Sequence, residues 1–169
     1  MKTKTQKLTF LSVFATLAII LSFVESLLPP IFSSVPGIKM GLPNIIIIFM
    51  LYKFSVKEAI AVSFIRLITV AFLFGNFMTL LYSFAGAALS LLVMWLLKKT
   101  NRFSQVGVSI AGGVFHNIGQ IIVAILVLGT KEIGFYLPVL AVSGTVAGIF
   151  VGVGGILLLK YTAKYNFNV

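Results

Sequence analysis

The chain has 169 residues, 60% of them hydrophobic and only 9% charged, with a mean hydropathy of +1.15. Soluble domains carry about 25% charged residues, so the composition predicts an integral membrane protein, with one helical bundle using the whole length and no separate soluble domain. The net charge of +10 does not point to nucleic acid, because the basic residues sit in short loops between apolar runs; with neither Cys nor Asp, the chain lacks disulfides, thiolate metal sites, a thiol nucleophile and paired-acid chemistry.

Lys2, Lys4 and Lys7 precede the first apolar run, 8–28, which has no clear small-residue cleavage site before Pro29–Pro30. It is read as a retained first helix, not a signal peptide. Ser12 and Thr16, with Ala15 close by, form a small-residue face suited to close packing against another helix. Glu25 lies near the far end, either at headgroup level or paired with a basic group inside the bundle. Residues 29–41 break the helix with three prolines and carry Lys39. The second run, 42–54, is short enough to begin below the membrane surface. The stretch Pro36–Asn44 is then either a lid that contacts a ligand or an ordinary connector.

The third run, 59–74, contains Arg66, about 12 Å along from Glu58 and so near the bilayer middle. A central arginine costs about 2.5–3.5 kcal/mol even on mild insertion scales, so it needs a partner. Glu25, a cluster of carbonyls and an anionic ligand are the candidates. The fourth run, 77–97, holds Ser83, Gly86, Ala87 and Ser90 as overlapping small-residue pairs, and a basic loop with Lys98, Lys99 and Arg102 follows. The fifth, 106–128, holds the single His of the chain. On a helix His116 and Gln120 share a face with Asn117 beside them. That face should turn away from lipid, either to hydrogen-bond neighbouring helices or to line a ligand pocket. The sixth run, 136–159, spaces Gly144, Gly148 and Gly152 four apart, a close-packing row.

Six crossings would put Lys2, Lys4, Lys7, Lys53, Lys57, Lys98, Lys99, Arg102, Lys160 and Lys164 on one side, against Lys39 and Lys131 on the other. The positive-inside rule then makes both termini cytoplasmic. A pocket open to the outside would combine Glu25, Lys39, Asn44, Arg66, His116, Asn117 and Gln120, a set suited to an anionic or carbonyl-rich small molecule. Three glutamates are too few for a multi-carboxylate Mg²⁺ site, one His cannot make a zinc cluster, and no phosphate-binding or dinucleotide fingerprint is visible. No catalytic residue, metal or cofactor is therefore expected. Ser143 as a nucleophile for His116 lacks an orienting acid.

Several stretches in register carry a family resemblance: Leu21–Ser26, Pro36–Asn44, Arg66, Ser83–Gly86, His116–Gln120 and Tyr136–Leu140. They resemble the Gx transporters, a small membrane family often labelled heptaprenyl diphosphate synthase component I. That family is similar in size and topology to the substrate-binding S components of energy-coupling factor (ECF) transporters. The resemblance implies an all-α, six-helix protein of the bacterial plasma membrane that binds a vitamin-like molecule from outside under its first loop. Its first helix would face an energy-coupling membrane subunit served by ATPases. Ser12 and Thr16 stand where S components often show an Ala-xxx-Ala pair. The prenyl synthase label implies the alternative of a membrane accessory subunit, with Arg66 or Lys39 at a diphosphate. Prenyl elongation needs Asp-rich Mg²⁺–diphosphate motifs, so catalysis would belong to a partner subunit.

Overall fold

The computed structural model describes residues 4–27 and 40–163, Lys4 by its backbone alone. Six α-helices dominate, and no strand occurs among the described residues. They are α1 (Lys4–Leu27), α2 (Asn44–Lys53), α3 (Val56–Phe74), α4 (Phe77–Thr100), α5 (Gln105–Leu128) and α6 (Leu137–Thr162), the last entered through the 3-10 turn Lys131–Tyr136. This is the all-α, six-helix bundle that the apolar runs predict. Polar side chains set the breaks. Ser55 caps α3 by accepting from the Lys57 N–H at 3.2 Å, Asn76 caps α4 through the Thr79 N–H at 2.8 Å, and Ser104 caps α5 through the Gly107 N–H at 3.1 Å. α5 stops at Gly129, whose φ of +66° is the left-handed conformation that glycine adopts freely.

Four stretches are long and apolar enough to cross a membrane: 5–27, α4, α5, and the 3-10 turn continued into α6. The protein is a multi-pass membrane protein. Two helices fall short of that standard. α3 carries Lys57, Glu58 and Arg66, and the 10 residues of α2 amount to about 15 Å, half of a hydrocarbon core.

The short α2 is the centre of the bundle rather than a wall of it. Ile46 to Leu51 are all buried, so the helix is apolar all round. It packs against α6, α3 and α1. Phe14 and Ala18 of α1, Val62 of α3, Met94 of α4, Val108 of α5 and Val151 of α6 join it in one core. The Phe14 and Phe49 rings lie 4.8 Å apart. The most extensive interface joins α5 to α6, and the next α4 to α5. Glycines allow that approach. A Cβ on Gly148 would stand 2.5 Å from the Ile110 Cα, and one on Gly119 would stand 2.6 Å from the Ala85 carbonyl oxygen.

At the basic end, Lys7 of α1 pairs with Glu58 of α3, and Ser55 donates its hydroxyl to the same carboxylate. Glu58 lies just ahead of the apolar stretch 59–74. Burial pushes its carboxyl up, but hydrogen bonds from Lys7, Ser55 and the backbone, with the Lys7 charge, outweigh that and hold it at about 2. A carboxyl depressed by folding stabilises the protein above its unfolded value of about 4.3 and loses that contribution as the pH falls towards 2. The stability advantage of the wild type over Glu58→Gln should therefore be constant above about pH 5 and shrink below it. Thermal unfolding of both proteins in detergent across pH 3–7 checks this. An advantage that does not vary with pH would contradict it.

Candidate functional site

A cavity of about 170 Å³ opens among five of the six helices and the entry to α2. α1 contributes Ser22 and Glu25, the entry to α2 Gly41, Pro43 and Asn44, and α3 Arg66. α4 adds Ser83 and Ser90, α5 His116, Asn117 and Gln120, and α6 Ser143. Of the expected site residues, Glu25, Asn44, Arg66, His116, Asn117 and Gln120 all line this one space, though they come from four separate stretches of sequence. Lys39 lies outside the described residues.

Arg66 dominates the chemistry. It points inward from the buried side of α3 with 7% of its surface exposed. Its Nε has no hydrogen-bond partner among the described residues. Glu25 acts on it electrostatically, yet the two make no ion pair: among the described residues the ion-pair contact is Lys7–Glu58. Glu25 is instead held by the backbone. Its Oε1 accepts the Gly41 N–H at 2.5 Å, and Gly41 has a φ of +75° that side-chain-bearing residues rarely adopt. The carboxylate thus ties the end of α1 to the entry of α2, leaving the guanidinium short of a direct counter-ion.

The α5 residues divide in role. Asn117 donates to the Leu140 carbonyl at 2.6 Å and reaches the Ser143 Oγ at 3.4 Å, so it fastens α5 to α6. His116 packs over Gly86 of α4: a Cβ there would meet its carbonyl oxygen at 2.8 Å and its ring at 3.0 Å. Gln120 continues the lining one turn further along α5. The arrangement presents a buried cation, an imidazole, amides and hydroxyls to one small space, which is the donor set for a carboxylate or phosphate oxygen. Among the described residues no group of three or more His, Cys, Asp or Glu could hold a metal.

The helix-packing residues separate as well. Gly144, Gly148 and Gly152 all face α5. Ala15 is buried in the core, whereas Ser12 and Thr16 face outward and return their hydroxyls to the Leu8 and Ser12 carbonyls at 3.0 and 2.9 Å. Residue patterning read the Ser83–Ser90 row as packing only and passed over Ser22, Thr79 and Ser109. The clue for Ser90 and Ser109 was polarity on faces that had to be buried, and both are.

An apolar helical bundle with four stretches able to cross a membrane, enclosing a cavity lined by a buried arginine, defines a multi-pass membrane protein. The chain belongs to the heptaprenyl diphosphate synthase component I family, whose match covers residues 14–158. No curated protein and no solved structure matches the chain.

Proposed function

We propose that the protein is the membrane substrate-binding component of an uptake transporter for a small anionic molecule, similar to an ECF S component. The observation that carries this is Arg66, a buried guanidinium in a polar cavity without an ion-pair partner among the described residues. A charge so placed is costly unless paired or hydrated, and in this reading a mobile anion pairs it. In this reading Arg66 takes the anion, His116 and Gln120 orient it, and Asn117 and Glu25 hold the walls. Asn44 completes the lining. The chain crosses the bacterial plasma membrane six times with both ends in the cytoplasm, and an energy-coupling membrane subunit with its ATPases drives release. The size of the cavity favours a compact ligand. An engineered protein cavity of about 150 Å³ holds benzene, so a space of about 170 Å³ suits a small acid or a head group rather than a heptaprenyl chain.

The family name favours a second reading, a non-catalytic membrane subunit acting beside a prenyl diphosphate synthase. With no Asp in the chain, the Mg²⁺-dependent chemistry would lie in the partner. Native mass spectrometry of the gently solubilised protein, with extraction of what co-purifies, separates the two. A water-soluble anion bound one to one is the expected result. A bound polyprenyl diphosphate, or a prenyl synthase subunit in the complex, would replace the transporter reading with the second.

A further inference from the structure

A second hollow lies on the outside of the bundle, where α3 and α4 diverge. It measures about 530 Å³, three times the polar cavity, and is almost wholly apolar. Val56, Ile60 and Phe64 form one wall, and Phe84, Leu92 and Trp95 the other, most of them half exposed. Along α3 it runs from Val56 to Leu67, about 17 Å at 1.5 Å per residue. That is roughly half of a 30 Å hydrocarbon core, the reach of one leaflet.

Its two ends differ in charge. The inner end stops at Leu67 and Phe84, in apolar surroundings. The other end is basic: Lys57 follows Val56 on α3 and is exposed, and Lys99 lies over the Trp95 ring at 5.7 Å. The nearby acid, Glu58, is already paired with Lys7, so it does not cancel this charge. Lys98 is committed elsewhere, donating to the Leu51 carbonyl at 2.5 Å. A slot one leaflet long, apolar inside and cationic at the rim, matches an amphiphile with one anionic head. We infer that the α3–α4 groove seats an acyl chain of an anionic phospholipid, with its phosphate held by Lys57 and Lys99.

Trp95 is the single tryptophan of the protein, so its fluorescence reports on the groove alone. The test uses the full chain in vesicles containing acyl-brominated phosphatidylglycerol or acyl-brominated phosphatidylcholine at equal mole fraction, since bromine quenches tryptophan on contact. Quenching should be several-fold more effective with phosphatidylglycerol. The exposed-lysine double variant Lys57→Gln/Lys99→Gln should erase that preference, and Ala88→Phe, which fills the groove, should weaken quenching by both lipids. Equal quenching of the wild type, or a preference that survives the double variant, would overturn the inference. Absence of quenching by either lipid would overturn it too, by showing that protein covers the groove. Displacement of the brominated lipid by stoichiometric geranylgeranyl diphosphate would also overturn it, and assign the slot to an isoprenoid diphosphate.

Discussion

Arg66→Gln should abolish binding of the co-purifying anion while leaving the bundle folded. Glutamine keeps an amide donor in the cavity but removes the charge and the forked geometry that match a carboxylate or phosphate. A hydrogen bond to a charged group contributes about 1.5–3 kcal/mol. Losing a bidentate pair should therefore weaken binding by about 3–5 kcal/mol, a factor of roughly a hundred to a few thousand in Kd. Stability should stay level or rise, because a buried charge without a direct ion-pair partner is a cost to the fold and not a support. Isothermal titration with the identified ligand measures the first effect, and thermal unfolding measures the second. If Arg66→Gln instead unfolded, the arginine would be serving Glu25 across the cavity. A Glu25→Gln/Arg66→Gln double variant would then recover stability, as removal of both charges of a pair does.

Gly148→Leu should destroy the folded, monodisperse protein in detergent. The position lies where α6 meets α5 backbone to backbone. Its first added carbon would fall 2.5 Å from the Ile110 Cα and 2.8 Å from the Ser109 carbonyl oxygen. Neither atom belongs to a side chain that can rotate away, so the helices themselves must part. Overpacking of a well-filled site typically costs 1–3 kcal/mol, and a leucine adds three carbons beyond the one that already collides. Separation of α5 from α6 would also break the Asn117–Leu140 hydrogen bond. Val146→Leu, two residues away on the exposed side of α6, should behave as wild type. Size-exclusion profiles and melting temperatures of the two variants compare them directly, and equal behaviour would refute the close-packing account.

Much of the cavity was legible in the sequence, because charges and amides inside apolar runs have few places to go. Arg66 and the His116–Gln120 face had to turn inward, and the brevity of 42–54 already marked α2 as unusual. Roles were harder to read than positions. Whether Asn117 fastens a helix or faces a ligand depends on which α6 carbonyl lies opposite it, and that register is not written in either helix alone. The small-residue pairs were ambiguous for a similar reason. Gly148 and Ser90 both border the cavity, yet only Gly148 sits at the backbone-to-backbone contact of α5 with α6, and both are compact residues on inner faces. Ser12 and Thr16 can face outward because each bonds a carbonyl in its own helix, so their polarity no longer forces them inside. The α3–α4 groove left no trace in the sequence, since residues lining an apolar slot and residues facing lipid are chosen from the same alphabet.

The walls of the polar cavity are unequally joined. α4, α5 and α6 meet through the two most extensive interfaces, glycine-tightened, and carry His116, Asn117, Gln120 and Ser143 as one block. Glu25 and Arg66 belong to α1 and α3, whose packing on each other and on α4 is much sparser. An anion bound at the proposed site, between Arg66 and His116, would act as a staple across this seam. Occupancy of the proposed site would then be felt as stiffness, resisting movement of α1 and α3 against the block of α4, α5 and α6.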